Sequence, residues 1–156
     1  MSRGRIALAA AVAVALAGCG GSGSSSSTSS SLSPASYRTS VNKICAAYND
    51  SIRALPKSTT SSVQGLTTLA NSAKNALGQI QAVSAPGSLD ASINKWTESL
   101  QAADANVAKL LDAFKSGNAT QLRAIAEEGT KLNAQSNAQA RALGLSSCAQ
   151  NATPSG

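Results

Sequence analysis

Three cysteines are the residues of this 156-residue chain best suited to covalent chemistry, and their settings differ. Cys19 closes an apolar run and opens a serine tract, whereas Cys45 lies within a stretch of helical periodicity and Cys148 just beyond another. A thiol can be acylated, oxidised to a disulfide or bound to a metal, and its neighbours decide which. With no histidine in the chain, the commonest base and metal ligand is missing. Without a Cys-x-x-Cys pair either, a zinc or haem site has almost no support. The seven acidic residues are scattered, and Glu127-Glu128 point in different directions on a helix, as a solvated edge does. Gly-x-Gly-x-x-Gly, Walker and Gly-x-Ser-x-Gly motifs are absent. We therefore expect no catalytic residues, no metal and no cofactor.

Leu16-Ala17-Gly18-Cys19 resembles the lipobox of bacterial lipoproteins, in which small residues precede a cysteine that takes diacylglycerol and becomes the mature N-terminus. The residues before it read as a secretory signal over 1–18. Arg3 and Arg5 form a positive n-region, and Ile6 to Ala17 form an apolar core too short for the ~20 residues of a membrane span. Two or three acyl chains at ~0.8 kcal/mol per buried methylene would hold the protein permanently. The expected location is the outer face of the cytoplasmic membrane, or an outer membrane where the organism has one. With Cys19 lipidated, Cys45 and Cys148 remain as one pair in an oxidising compartment, where a disulfide is the expected outcome and two free thiols the rival.

Lys and Arg number 13 against 7 acidic residues, a net charge of +6. Arg3 and Arg5 leave with the signal, so part of this basicity is not carried by the mature protein. The remaining cations are spread singly without aromatic interleaving, a pattern that argues against nucleic-acid binding.

The elements that must position the cysteines follow from composition and period. Residues 19–33 are almost all Gly, Ser and Thr after Cys19, too polar to offset their ordering entropy, and predict a flexible tether reaching about 20 Å. Four helical segments follow. Ser33 caps the first, which carries Tyr37, Val41, Ile44, Tyr48, Ile52 and Leu55 on one face and stops at Pro56. The second starts near Ser58 to Ser62, with Ser61 and Gln64 as a capping box, and runs to Ala85-Pro86-Gly87 despite Gly65 and Gly78. Leu89, Ile93, Trp96, Leu100, Ala103, Val107, Leu110 and Phe114 mark the third, which ends at Gly117. Asn118 caps the fourth, which runs through Leu143 with Gly144-Leu145 as its C-terminal cap.

Short links between such helices predict an all-α fold: a four-helix up-down-up-down bundle over 34–149, followed by a disordered tail at 150–156. A chain reversal at Gly144 would bring Cys148 back along the first helix to Cys45. Closing so long a loop is worth up to ~4.7 kcal/mol in the chain-entropy model. Aromatic residues make up only 3% of the chain, so Tyr48 and Trp96 read first as core. The second half of the fourth helix, with Asn133, Ser136, Asn137 and Gln139, carries no large apolar side chain and leaves the interior opposite the first helix underfilled. Tyr48, Trp96 and Gln139 are therefore the candidate ligand-binding residues.

Taken together, the lipobox, the Ser/Gly tether, Asn42-Lys43-Ile44-Cys45, the mid-chain Ala85-Pro86, Trp96 and Leu143-Gly144-Leu145-Ser146-Ser147-Cys148 resemble the small helical lipoproteins of actinobacteria. That resemblance implies an anchored helical domain and carries no activity or site residues. The expected role is a non-enzymatic envelope lipoprotein, held to the membrane through Cys19, that presents its bundle to another envelope protein. A small-molecule or lipid binding module using the bundle interior is the alternative.

Overall fold

The computed structural model describes residues 32–150 and Pro154. The expected signal peptide, the lipidated Cys19 and the tether up to Ser31 lie outside the described residues, as does the expected tail apart from Gln150 and Pro154. Among the described residues the protein is a bundle of four α-helices without strands: α1 (Pro34–Arg53), α2 (Val63–Gln81), α3 (Asp90–Ser116) and α4 (Ala119–Ala142). Short 3₁₀ turns precede α2 (Lys57–Ser61) and α3 (Gly87–Leu89).

Local chemistry explains the boundaries. Ser33 Oγ accepts the Ser36 amide at 3.1 Å, and Pro34 sits in the first turn, where its missing N–H costs nothing. Asn118 caps α4 by accepting the Gln121 amide at 3.0 Å. The expected capping box is one residue out of place: Ser62, not Ser61, caps α2, accepting from Gly65 N at 3.0 Å. Ser61 is held in the preceding 3₁₀ turn, where its hydroxyl donates to Ser58 O at 2.7 Å, and the residue three past the true cap is a glycine that cannot return the bond. Gly117 and Gly144 follow α3 and α4 with φ of 67° and 76°, left-handed values that L side chains resist. At each, the amide of the residue after the glycine reaches back five positions into the helix: Asn118 N to Ala113 O at 3.2 Å, and Leu145 N to Ala140 O at 2.8 Å.

Consecutive helices pack on one another. The core gathers Tyr37, Val41 and Cys45 of α1, Ile80 of α2, Ile93 and Trp96 of α3, Ala140 of α4, and Leu143 and Leu145 just beyond it. Leu32, assigned to the tether by composition, packs against this core, so the folded domain begins slightly earlier than residue 34. On α1 the buried line is Tyr37, Val41, Cys45, Asn49 and Ile52, while Ile44 and Tyr48 flank it half-buried. The apolar face expected from the sequence is thus turned by part of a residue step, because Cys45 and Asn49 occupy its centre.

After Gly144 the chain turns back along α1, and the two are joined by side-chain to backbone bonds. Arg38 Nε donates to Leu143 O at 2.8 Å, and Asn42 Nδ2 donates to Gly144 O at 3.3 Å. Ser147 N in turn donates to Asn42 Oδ1 at 2.9 Å, and Asn49 Nδ2 donates to Ser147 O at 2.8 Å. Arg38, Asn42, Cys45 and Asn49 lie three or four residues apart, which places them on one face of a helix. The expected disulfide forms between Cys45 and Cys148, with Cα atoms 5.0 Å apart. Carbonyls at a helix C-terminus have no partner within the helix, so Arg38 and Asn42 supply what the end of α4 lacks.

Candidate functional site

Between the helices lies a partly open cavity of about 220 Å³. Its walls follow from residue size. Ala73 and Ala76 of α2, Ala103 of α3 and Ser136 of α4 are too small to fill the space between the helices. Tyr48, Leu77, Ile80, Trp96 and Leu100 give it an apolar lining, and the Cys45–Cys148 disulfide forms part of one wall.

The structure brings together most of what the sequence singled out. Tyr48 and Trp96 both line the cavity, along with Asn133, Ser136 and Asn137 from the polar half of α4. Gln139 is not among the lining residues. It sits two positions past Asn137, about 200° around a helix of 3.6 residues per turn, and so points elsewhere. Cys19 lies outside the described residues.

Two polar features of the lining matter for recognition. Asp104 is the only charged residue among the lining residues, in a chain whose cations outnumber its acids. Trp96 is fully buried, yet its indole N–H has no hydrogen-bond partner, as is also true of Tyr37 OH and Gln139 Oε1. An unmet buried donor costs roughly 1 to 3 kcal/mol, so an acceptor supplied by water or a ligand would relieve it. Burial raises the Tyr48 phenol above its ordinary value of 10.0, keeping it a neutral hydrogen-bonding group.

Asp112, eight residues beyond Asp104 along α3, is exposed and pairs with Lys115 at 3.9 Å within its own helix. Among the described residues no three His, Cys, Asp or Glu side chains gather as a metal site, and no helix is long and apolar enough to cross a membrane. Asn49 was missed as a site residue. Asn49 was detectable, since it continues the four-residue step Tyr37, Val41, Cys45. Asp104 gives no such signal, because one acidic residue on a long helix is ordinarily solvated.

No protein-family model matches the chain, and no curated protein or solved structure does so.

Proposed function

We propose that this chain is a lipid-anchored, non-enzymatic envelope lipoprotein whose bundle runs up-down-up-down and takes a small molecule into its interior. The observation that carries the binding role is the cavity of about 220 Å³ where Tyr48, Trp96 and the polar half of α4 meet. Its size lies between the ~150 Å³ void that admits benzene and the ~300 Å³ lower end of drug-sized pockets. A ligand of one ring or a short branched chain suits it. The other expected role, a helical surface offered to an envelope partner, has less to draw on: among the described residues Val63 is the exposed large apolar side chain, and partners dock on clustered apolar anchors.

The up-down-up-down order is supported by the packing of consecutive helices and by the makeup of the core. That core joins the start of α1, the end of α2, the start of α3 and the end of α4, as alternating directions require. The anchor is supported by the lipobox pattern alone, Leu16-Ala17-Gly18-Cys19; on this proposal the domain hangs outside the membrane from the lipid on Cys19.

Two measurements test the proposal. Growth with an alkyne-bearing fatty acid should label the wild-type chain and not Cys19→Ser, and an unlabelled wild type would refute the anchor. Native mass spectrometry of protein taken from its own membrane should show a small-molecule adduct that Ala103→Leu, which fills the cavity, removes. Identical masses for the two proteins, with no adduct on either, would refute the binding role.

A further inference from the structure

We infer that the cavity selects a small organic cation, a protonated amine carried on a compact apolar body. This rests on the binding role proposed above and specifies its ligand. Three features of the lining converge on that chemistry. Asp104, from the middle of α3, is half-buried at the cavity and has no ion pair among the described residues. The other six acids are all exposed, and two of them have a cation beside them, Asp50 with Arg53 at 3.0 Å and Asp112 with Lys115. None of the lining residues is a Lys or Arg, so the negative charge is not balanced within the site.

Aromatic rings supply the second feature. Trp96 and Tyr48 come from α3 and α1, and the faces of such rings attract cations through their quadrupoles. Third, the remaining polar lining is neutral, and Asn49, Asn133 and Ser136 have oxygens that can accept hydrogen bonds from an ammonium group. The Asn49 amide nitrogen is already committed to Ser147 O, so its oxygen is the atom left to act as an acceptor. Arg53, at the end of α1, donates to Asp50 Oδ1 at 3.0 Å and to Gln150 Oε1 at 3.2 Å.

The charge matters because an anion in this cavity would face an uncompensated carboxylate, while an ammonium group would complete it. A neutral ligand of the same shape would gain only the apolar contacts.

The test uses the full chain with its disulfide intact and three probes of one shape: benzylammonium, benzyl alcohol and benzoate. Trp96 is the only tryptophan, so its indole N–H resonance and its fluorescence report on this wall alone. Benzylammonium should produce a saturable shift at least tenfold tighter than either other probe. Asp104→Asn should remove that preference, and Asp112→Asn, at the exposed acid outside the cavity, should alter nothing. Equal binding of benzyl alcohol and benzylammonium to the wild-type chain would overturn the cation assignment and leave the binding cavity standing. No saturable response to any of the three would overturn the cavity itself. The comparison of probes on the wild-type chain decides the matter even if Asp104→Asn folds poorly.

Discussion

Gly65 and Gly78 lie in the same helix, and intrinsic propensity treats them alike, yet replacing each with alanine should have opposite effects. Alanine in place of an interior helical glycine is worth about 1 kcal/mol. At Gly78 a new Cβ meets nothing within 4 Å, so the full gain should appear as a rise in melting temperature of roughly 4 to 8 °C. At Gly65 the same atom would overlap the carbonyl oxygen of Thr59 and lie 2.6 Å from its carbon. Those are backbone atoms of the 3₁₀ turn that leads into α2, so they cannot swing aside as the tip of a side chain can. Overpacking of this kind costs typically 1 to 3 kcal/mol, enough to cancel or exceed the propensity gain. Gly65→Ala should therefore melt at or below wild type. The two positions are about 20 Å apart along the helix, so the double variant should combine the single effects to within ~0.5 kcal/mol. Thermal melts followed at 222 nm, with the disulfide intact, suffice. A Gly65→Ala protein that gains as much as Gly78→Ala would show that the turn does not press on α2, and the account of that corner would be wrong.

Reduction of the Cys45–Cys148 bond should lower stability by up to ~4.7 kcal/mol, read as a fall in urea midpoint, and a change under 1 kcal/mol would mean that the bundle does not depend on it. Asn42→Ala should cost about 1 to 2 kcal/mol, since one side chain serves both Gly144 O and Ser147 N; amide exchange at Ser147 should quicken while that in the middle of α3 does not. The alkaline limb of stability should reflect the tyrosines. Burial raises both Tyr37 and Tyr48 above 10.0, so their contribution is complete below that value and is lost as pH rises through the higher folded values. Urea midpoints should hold to about pH 9 and fall beyond 10, and a double Phe variant should flatten that fall; an unchanged slope in that variant would refute the assignment.

Much of the architecture was legible because helix punctuation is local chemistry. Pro56, Pro86 and Gly117 end helices wherever they occur, and Ser33 and Asn118 satisfy amides only three residues away. Long-range features were harder to read. Steps of three and four along α1 fit two adjacent lines equally well, and only the returning chain at Ser147 selects the one through Cys45 and Asn49. Ser61 and Ser62 are chemically equivalent as caps, and the length of the 3₁₀ turn decides between them. The underfilled interior could be read from missing bulk on α4, but the role of Asp104 could not, because its significance lies in the absence of any Lys or Arg from the lining that the four helices together supply.

The clasp between α1 and the returning chain also sets a path for mechanical load. A pull on the N-terminal side of Pro34 reaches Cys45 within eleven residues, and the disulfide there hands the force straight to Cys148. The 103-residue span between them, which holds α2, α3, α4 and most of the cavity wall, is then spared the tension. Only the opening turns of α1 can be drawn out, and the slack they release is at most about 40 Å. A pull from the N-terminal side should therefore leave the cavity wall closed.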